Sequence, residues 1–186
     1  MYHHPFGALA TLATALLLTA CASSPYGSTA SAQLEPTRGN AARGKVTFAQ
    51  QGDKVLVSGE IRGLKPNAEH GFHVHDKGDC SSGDGMSTGG HFNPLSAAHG
   101  GHHTNTHHVG DLPSLKADAN GTARVSFESS SIAVGAGAAN IVGRGLIVHR
   151  DPDDFTTQPT GNAGPRLACA VISLPVQAPP ASSSGY

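Results

Sequence analysis

The sequence predicts an all-β domain, an antiparallel sandwich or barrel, and three observations carry that expectation. Short runs of alternating polar and apolar residues recur through the middle of the chain, the period-2 pattern of half-buried strands. The punctuation between them is drawn from 24 glycines and 12 prolines, residues that suit turns rather than long helices. No stretch carries the apolar periodicity of a helix of any length.

The elements follow in chain order. Lys45-Val46-Thr47-Phe48-Ala49 alternates, residues 55–61 do so less cleanly, and Gln51-Gly52-Asp53 between them suits a hairpin turn. Gly71-Phe72-His73-Val74-His75 is a third alternating run. Residues 114–117 and 122–127 flank Asn120-Gly121, the strongest short hairpin signal. Residues 141–149 and 167–174 complete the set. Residues 76–110 and 150–165 lack strand pattern, and loops that long in a compact domain are usually functional.

Both ends of the chain differ from this middle. Residues 6–20 are nearly all Ala, Leu, Thr and Gly, too short for a membrane span and suited to the apolar core of a signal peptide. They run into Leu18-Thr19-Ala20-Cys21, which resembles the bacterial lipoprotein cleavage box, where the cysteine thiol is acylated and becomes the new N-terminus. The alternative is an ordinary cleaved signal with a chance cysteine. The expected organisation is a signal peptide over 1–20, a flexible tether over 21–42 lipidated at Cys21, a folded domain over 43–174 and a flexible tail over 175–186. Ala22 is no inner-membrane retention signal, so the expected place is the periplasmic face of a bacterial membrane, the outer one preferred. With Cys21 committed to lipid, Cys80 and Cys169 remain as an even pair, as an exported protein's disulfide would require. Closing so long a loop is worth roughly 4–5 kcal/mol in the chain-entropy model. The alternative is two free buried thiols.

Charged residues make up only 13% of the chain and the formal net charge is -1, which leaves no basic footprint for nucleic acid. Histidine stands out instead: 12 residues, as many as Lys and Arg together. His73 and His75 are two apart on a predicted strand, so their imidazoles share a face, roughly 6.6 Å apart along the strand. His91, His99, His102, His103, His107 and His108 follow in a patternless stretch, with Asp111 close behind, and His149 ends the most apolar run. The bland reading is a polar strand face and a solvated His-rich loop; the sharper one is a metal centre.

The motifs Gly71-Phe72-His73-Val74-His75, Gly90-His91-Phe92-Asn93-Pro94, His99-Gly100-Gly101, His108-Val109-Gly110-Asp111-Leu112 and Gly161-Asn162-Ala163-Gly164-Pro165-Arg166-Leu167-Ala168-Cys169 resemble, in order, those of the copper–zinc superoxide dismutases. The resemblance covers residues 43–174. It implies a Greek-key β-sandwich or barrel of about eight antiparallel strands with two long functional loops. It implies copper held by His73, His75, His91 and His149, and zinc held by His91, His99, His108 and Asp111, with His91 bridging. The donor sets suit both metals. It makes Arg166 the guanidinium that catches the superoxide anion and His91 a catalytic proton donor. Asp153 becomes the carboxylate linking a copper histidine to a zinc histidine, with the adjacent Asp154 as competitor. His102, His103 and His107 match no family ligand. Two departures stand out: the stretch from Cys80 to His91 is long, and Phe155-Thr156-Thr157-Gln158-Pro159-Thr160 lacks the charges that steer superoxide in many members. Monomer and homodimer are both open. The competing functions are a copper/zinc-buffering lipoprotein on the same scaffold and a disulfide-stapled interaction domain; Arg166 beside a full ligand set argues for the enzyme.

Overall fold

The computed structural model describes residues 27–176 together with Met1. The rest of the expected signal peptide, Cys21 and residues 177–186 lie outside the described residues. Among the described residues nine strands form: β1 (Thr29–Pro36), β2 (Arg43–Gln51), β3 (Lys54–Arg62), β4 (Glu69–His70), β5 (Phe72–His75), β6 (Leu115–Lys116), β7 (Ala123–Ser129), β8 (Gly145–His149) and β9 (Arg166–Val171). Seven of them build one antiparallel sheet in the order β5-β8-β9-β1-β2-β3-β7, and β4 pairs with β6 apart from it. The chain crosses from the β3–β7 end of the sheet to the β5–β8 end after β3, returns after β5 and crosses once more after β7, long connections of the Greek-key kind.

The sheet curls because β1 serves both of its halves. Thr29 to Leu34 pair with β2, and then Glu35 and Pro36 pair with Cys169 and Ala168 of β9, as corner strands do where one layer turns into another. Between the layers lie Leu34, Phe48, Val57, Ile61, Phe72, Val74, Leu146 and Val148, all with no solvent exposure. Each such side chain contributes about 1.5–3 kcal/mol through burial.

Two expectations need correction. The tether expected over 21–42 is structured from residue 29, because Ala30, Ala32 and Leu34 alternate inward and are fully buried. Two alanines and a leucine make a faint period-2 signal, easily read as linker. The turn at Asn120-Gly121 forms, with Gly121 at φ 74° and the Asp118 amide donating to the Thr122 carbonyl at 2.9 Å. Its arms then part: β6 pairs with β4 and β7 with β3. Burial decides this, since the β3 register carries Ala123 and Val125 into the core.

The fold positions the histidines through β5 and β8, which are buried at every residue. Phe72, Val74, Leu146 and Val148 face the core, so His73, His75 and His149 share the other face. A register irregularity between Val148 and His149 sets His149 opposite Arg166, a re-aiming device found beside active sites. On its free side, β5 is covered by the long loop: the Val74 amide donates to Gly110 and the Phe92 amide to Val74. Those bonds cap an edge that would otherwise be open, and they bring His91 beside His75 and Asp111 beside His73.

Candidate metal centre

Two groups of donors result. The atoms of His73, His75, His91 and His149 lie within 4.8 Å of one another, as do those of His91, His99, His108 and Asp111. All seven residues are buried, and His91 belongs to both groups.

In the first group, the second partner of each ring decides which nitrogen carries the proton. His75 Nδ1–H donates to the Gly89 carbonyl at 2.9 Å and His149 Nδ1–H to the Gly164 carbonyl at 3.0 Å. A carbonyl only accepts, so both Nε2 atoms present lone pairs, and they face each other at 3.3 Å. Two acceptors cannot bond one another. His73 Nε2 lies 2.9 Å from Asp153 Oδ2, which leaves its Nδ1 buried without a partner, and His91 Nε2 is likewise unpartnered. Four converging lone pairs are what a cation requires, and all-imidazole donors suit copper. Burial first, and then neighbouring imidazoles, push His75 well below its ordinary pKa and His149 down to about 3, so the rings stay neutral and able to coordinate.

The second group is built around a carboxylate. Asp111 Oδ1 lies 2.8 Å from His91 Nδ1 and 3.3 Å from His108 Nδ1, while Oδ2 lies 3.1 Å from His99 Nδ1. The His108 and Gly100 amides donate to Oδ2 at 2.9 and 3.2 Å, closing the loop onto the same group. Burial alone would raise the Asp111 pKa, but the three imidazoles gathered around it hold it well below the carboxylate range. Burial pulls His91 down to about 4 despite Asp111. It opposes charge on His99 too, yet Asp111 and Asp153 together raise that ring to about 10.

Asp153 links the groups, with Oδ2 on His73 and Oδ1 3.2 Å from His99 Nε2. Asp154, the competitor, is exposed and spends its carboxylate on Thr156 and Thr157. Gly161 (φ 64°) makes the link feasible: a Cβ there would collide with Asp153 Oδ1 and His99 Nε2. Gln158 pins the His99 backbone from both sides, accepting from its amide and donating to its carbonyl at 2.9 Å.

Arg166, half-buried, lines a cleft of about 240 Å³ with His75, His91 and His149. Its Nη1 donates to the Gly85 carbonyl and to Thr88 Oγ1 at 2.9 Å, and its Nη2 donates to the Gly89 carbonyl at 2.7 Å. Gly89 therefore orients both His75 and the guanidinium. Burial lowers the Arg166 pKa and Asp84 partly offsets this; arginine nevertheless stays charged. The loop supplying Gly85 to Gly89 is anchored by the Cys80–Cys169 disulfide, Cα–Cα 5.9 Å. Sequence reading missed the orienting carbonyls of Gly89 and Gly164, since a backbone acceptor has no residue signature. It also passed over His70, whose Nδ1–H donates to the His149 carbonyl at 2.9 Å. His102, His103 and His107 join neither group.

Comparison with known proteins gives the family from sequence and the fold from a solved structure. The family model for copper/zinc superoxide dismutase matches residues 42–172. The chain is 47% identical over 136 residues to a superoxide dismutase [Cu-Zn] of Paramecium bursaria Chlorella virus 1, covering 70% of this chain and 72% of that one. Against a superoxide dismutase [Cu-Zn] of Saccharomyces cerevisiae it is 43% identical over 136 residues, 70% of this chain and 87% of the other. Among solved structures, that of the clock protein EA4 superposes with a TM-score of 0.73 at 42% identity, covering 80% of this chain and 95% of that one.

Proposed function

This chain belongs to the copper/zinc superoxide dismutase family, and on that premise we propose how its residues divide the work and where it acts. It is a superoxide dismutase: two superoxide anions and two protons yield dioxygen and hydrogen peroxide. Its cofactors are copper and zinc; bound copper supplies one-electron cycling, while zinc, without redox chemistry, fixes geometry.

His73, His75, His91 and His149 hold copper, and His91, His99, His108 and Asp111 hold zinc. The lone pairs of His75 and His149 at 3.3 Å support the first assignment, and the carboxylate hub of Asp111 supports the second. His91 faces one group through Nδ1 and the other through Nε2, and its Nε2 holds and delivers the proton the product needs. Arg166 attracts and orients the anion. The single observation that carries the catalytic reading over mere metal buffering is the Gly89 carbonyl shared by His75 and Arg166. It locks an anion-binding fork beside an open cleft, which a metal store has no use for.

The exported setting rests on the leader and the box ending at Cys21. The enzyme is tethered through a lipidated Cys21 to the periplasmic face of a bacterial membrane, the outer one preferred, and removes superoxide at the cell envelope. Cys21→Ser should release soluble protein with wild-type dismutase activity and one copper and one zinc per chain. Zinc alone with no activity would overturn the enzymatic reading; a mature N-terminus without acyl chains by mass spectrometry would overturn the anchor.

A further inference from the structure

The turn between His99 and His108 carries three imidazoles that the centre does not use, of which His102 and His103 are exposed. The rings of His102 and His103 lie 5.3 Å apart at 85°. Within the buried Asp111 group, His91 and His108 lie 5.4 Å apart at 88°, and His91 and His99 5.3 Å apart at 70°. The exposed rings thus lie as close together as rings of the buried group, near enough for one ion to reach both.

The turn is ordered although its surface is open. The Thr104 amide donates to the Gly101 carbonyl at 2.8 Å, and the Thr104 hydroxyl lies within bonding distance of the Gly101 and Thr106 carbonyls. His103 packs over Gly101, where a Cβ would meet its ring at 3.0 Å, and edge-on against Phe155 at 5.9 Å. His107 is committed elsewhere: Nδ1–H donates to the His108 carbonyl at 2.6 Å and Nε2 lies 3.3 Å from Ser131 Oγ. Local burial, then His103 and His107, push the His102 pKa down, which favours the neutral ring that coordinates.

We propose that His102 and His103 form an exposed capture site for a divalent transition-metal ion, which passes from there to the buried His91, His99, His108 and Asp111. The inference rests on the reading of that buried group as the zinc site. Its physical basis is access. The four buried ligands are between 1% and 7% exposed, so an arriving aqua ion meets few of their donors, whereas a pair on the covering turn holds it at high local concentration. Two imidazoles, the remaining positions filled by water, bind more weakly than four ligands, which lets the ion move on.

The test uses metal-free full-length chain titrated with Zn²⁺ alone. Calorimetry reads the equivalents bound, and competition with a chelating dye reads the rate at which the tight sites fill. Wild type should bind a weaker zinc equivalent beyond the tight ones. His102→Ala/His103→Ala should lose it, keep the tight equivalents at unchanged affinity, and fill them at least about threefold more slowly at limiting zinc. His102→Gln/His103→Gln should behave alike, which separates lost ligation from a disturbed turn. A weak equivalent that persists in both variants overturns the capture site, and unchanged filling overturns its delivery role. No tight equivalent in wild type would overturn the zinc reading, and this proposal with it.

Discussion

The two donor groups share His91 and otherwise are built on opposite plans. Three of the four ligands in the first come from strands, so the pairing of β5 with β8 sets their spacing; backbone carbonyls set the proton positions of His75 and His149, and Asp153 that of His73. In the second, all four ligands come from the loop between β5 and β6, where isolated bridges to β5 place His91 and Asp111 but no strand carries His99 or His108 to fix their spacing. A buried carboxylate does that work: Asp111 gathers three imidazoles and two amides. One site is organised by hydrogen-bond register and kept neutral, the other by charge. Asp153 ties them together.

The largest expected effect breaks the strand-borne side. Cys80→Ser opens a bridge spanning 89 residues and should cost about 4–5 kcal/mol by the loop-entropy relation, read by urea denaturation under oxidising conditions. Because Arg166 leans on the loop that this bridge anchors, activity should fall while zinc stays bound. Loss of zinc before loss of activity would reverse the comparison. Next, Asp111→Asn removes the hub of the loop-borne group. The metal-free chain should lose about 3–5 kcal/mol, the scale for breaking one side of a buried ion pair. The loaded chain should lose zinc and keep copper.

A pH experiment on metal-free chain sharpens the contrast further. His149 and His91, at about 3 and 4 when folded against 6.5 unfolded, refuse protons that the unfolded chain accepts. Their contribution falls as pH drops from 6.5 towards those values. His99, raised to about 10, acts in the opposite sense: its contribution is complete below 6.5 and lost as pH rises through 10. Thermal melts should therefore show greatest stability near neutrality with losses on both sides; a flat profile from pH 6.5 to 4 would contradict the neutral, register-built site. The smallest effect concerns catalysis alone. Arg166→Ala should retain both metals and the disulfide while superoxide turnover falls about tenfold or more, as expected for losing a charge-assisted contact of about 1.5–3 kcal/mol. Arg166→Lys should recover part of the rate, and wild-type turnover in Arg166→Ala would place the anion elsewhere.

What the sequence determined by itself was the chemistry and the class of fold. Residue identity fixes donor type, so His73, His75, His91, His99, His108, His149, Asp111 and Arg166 were all legible by type and motif, as were the β2–β3 hairpin and the two long loops. Asp153 could be named but not separated from Asp154, because adjacent identical side chains differ only in where the backbone points them. β1 went unseen because Ala30 and Ala32 carry little hydrophobic signal, and the arms around Asn120-Gly121 parted because distant partners offered more burial than each other. Only the tertiary structure decided which nitrogen of each ring is free. That choice lies with the carbonyls of Gly89 and Gly164 and the carboxylate of Asp153, 14, 15 and 80 residues from the rings they orient, and nothing local to a histidine records what will accept its proton.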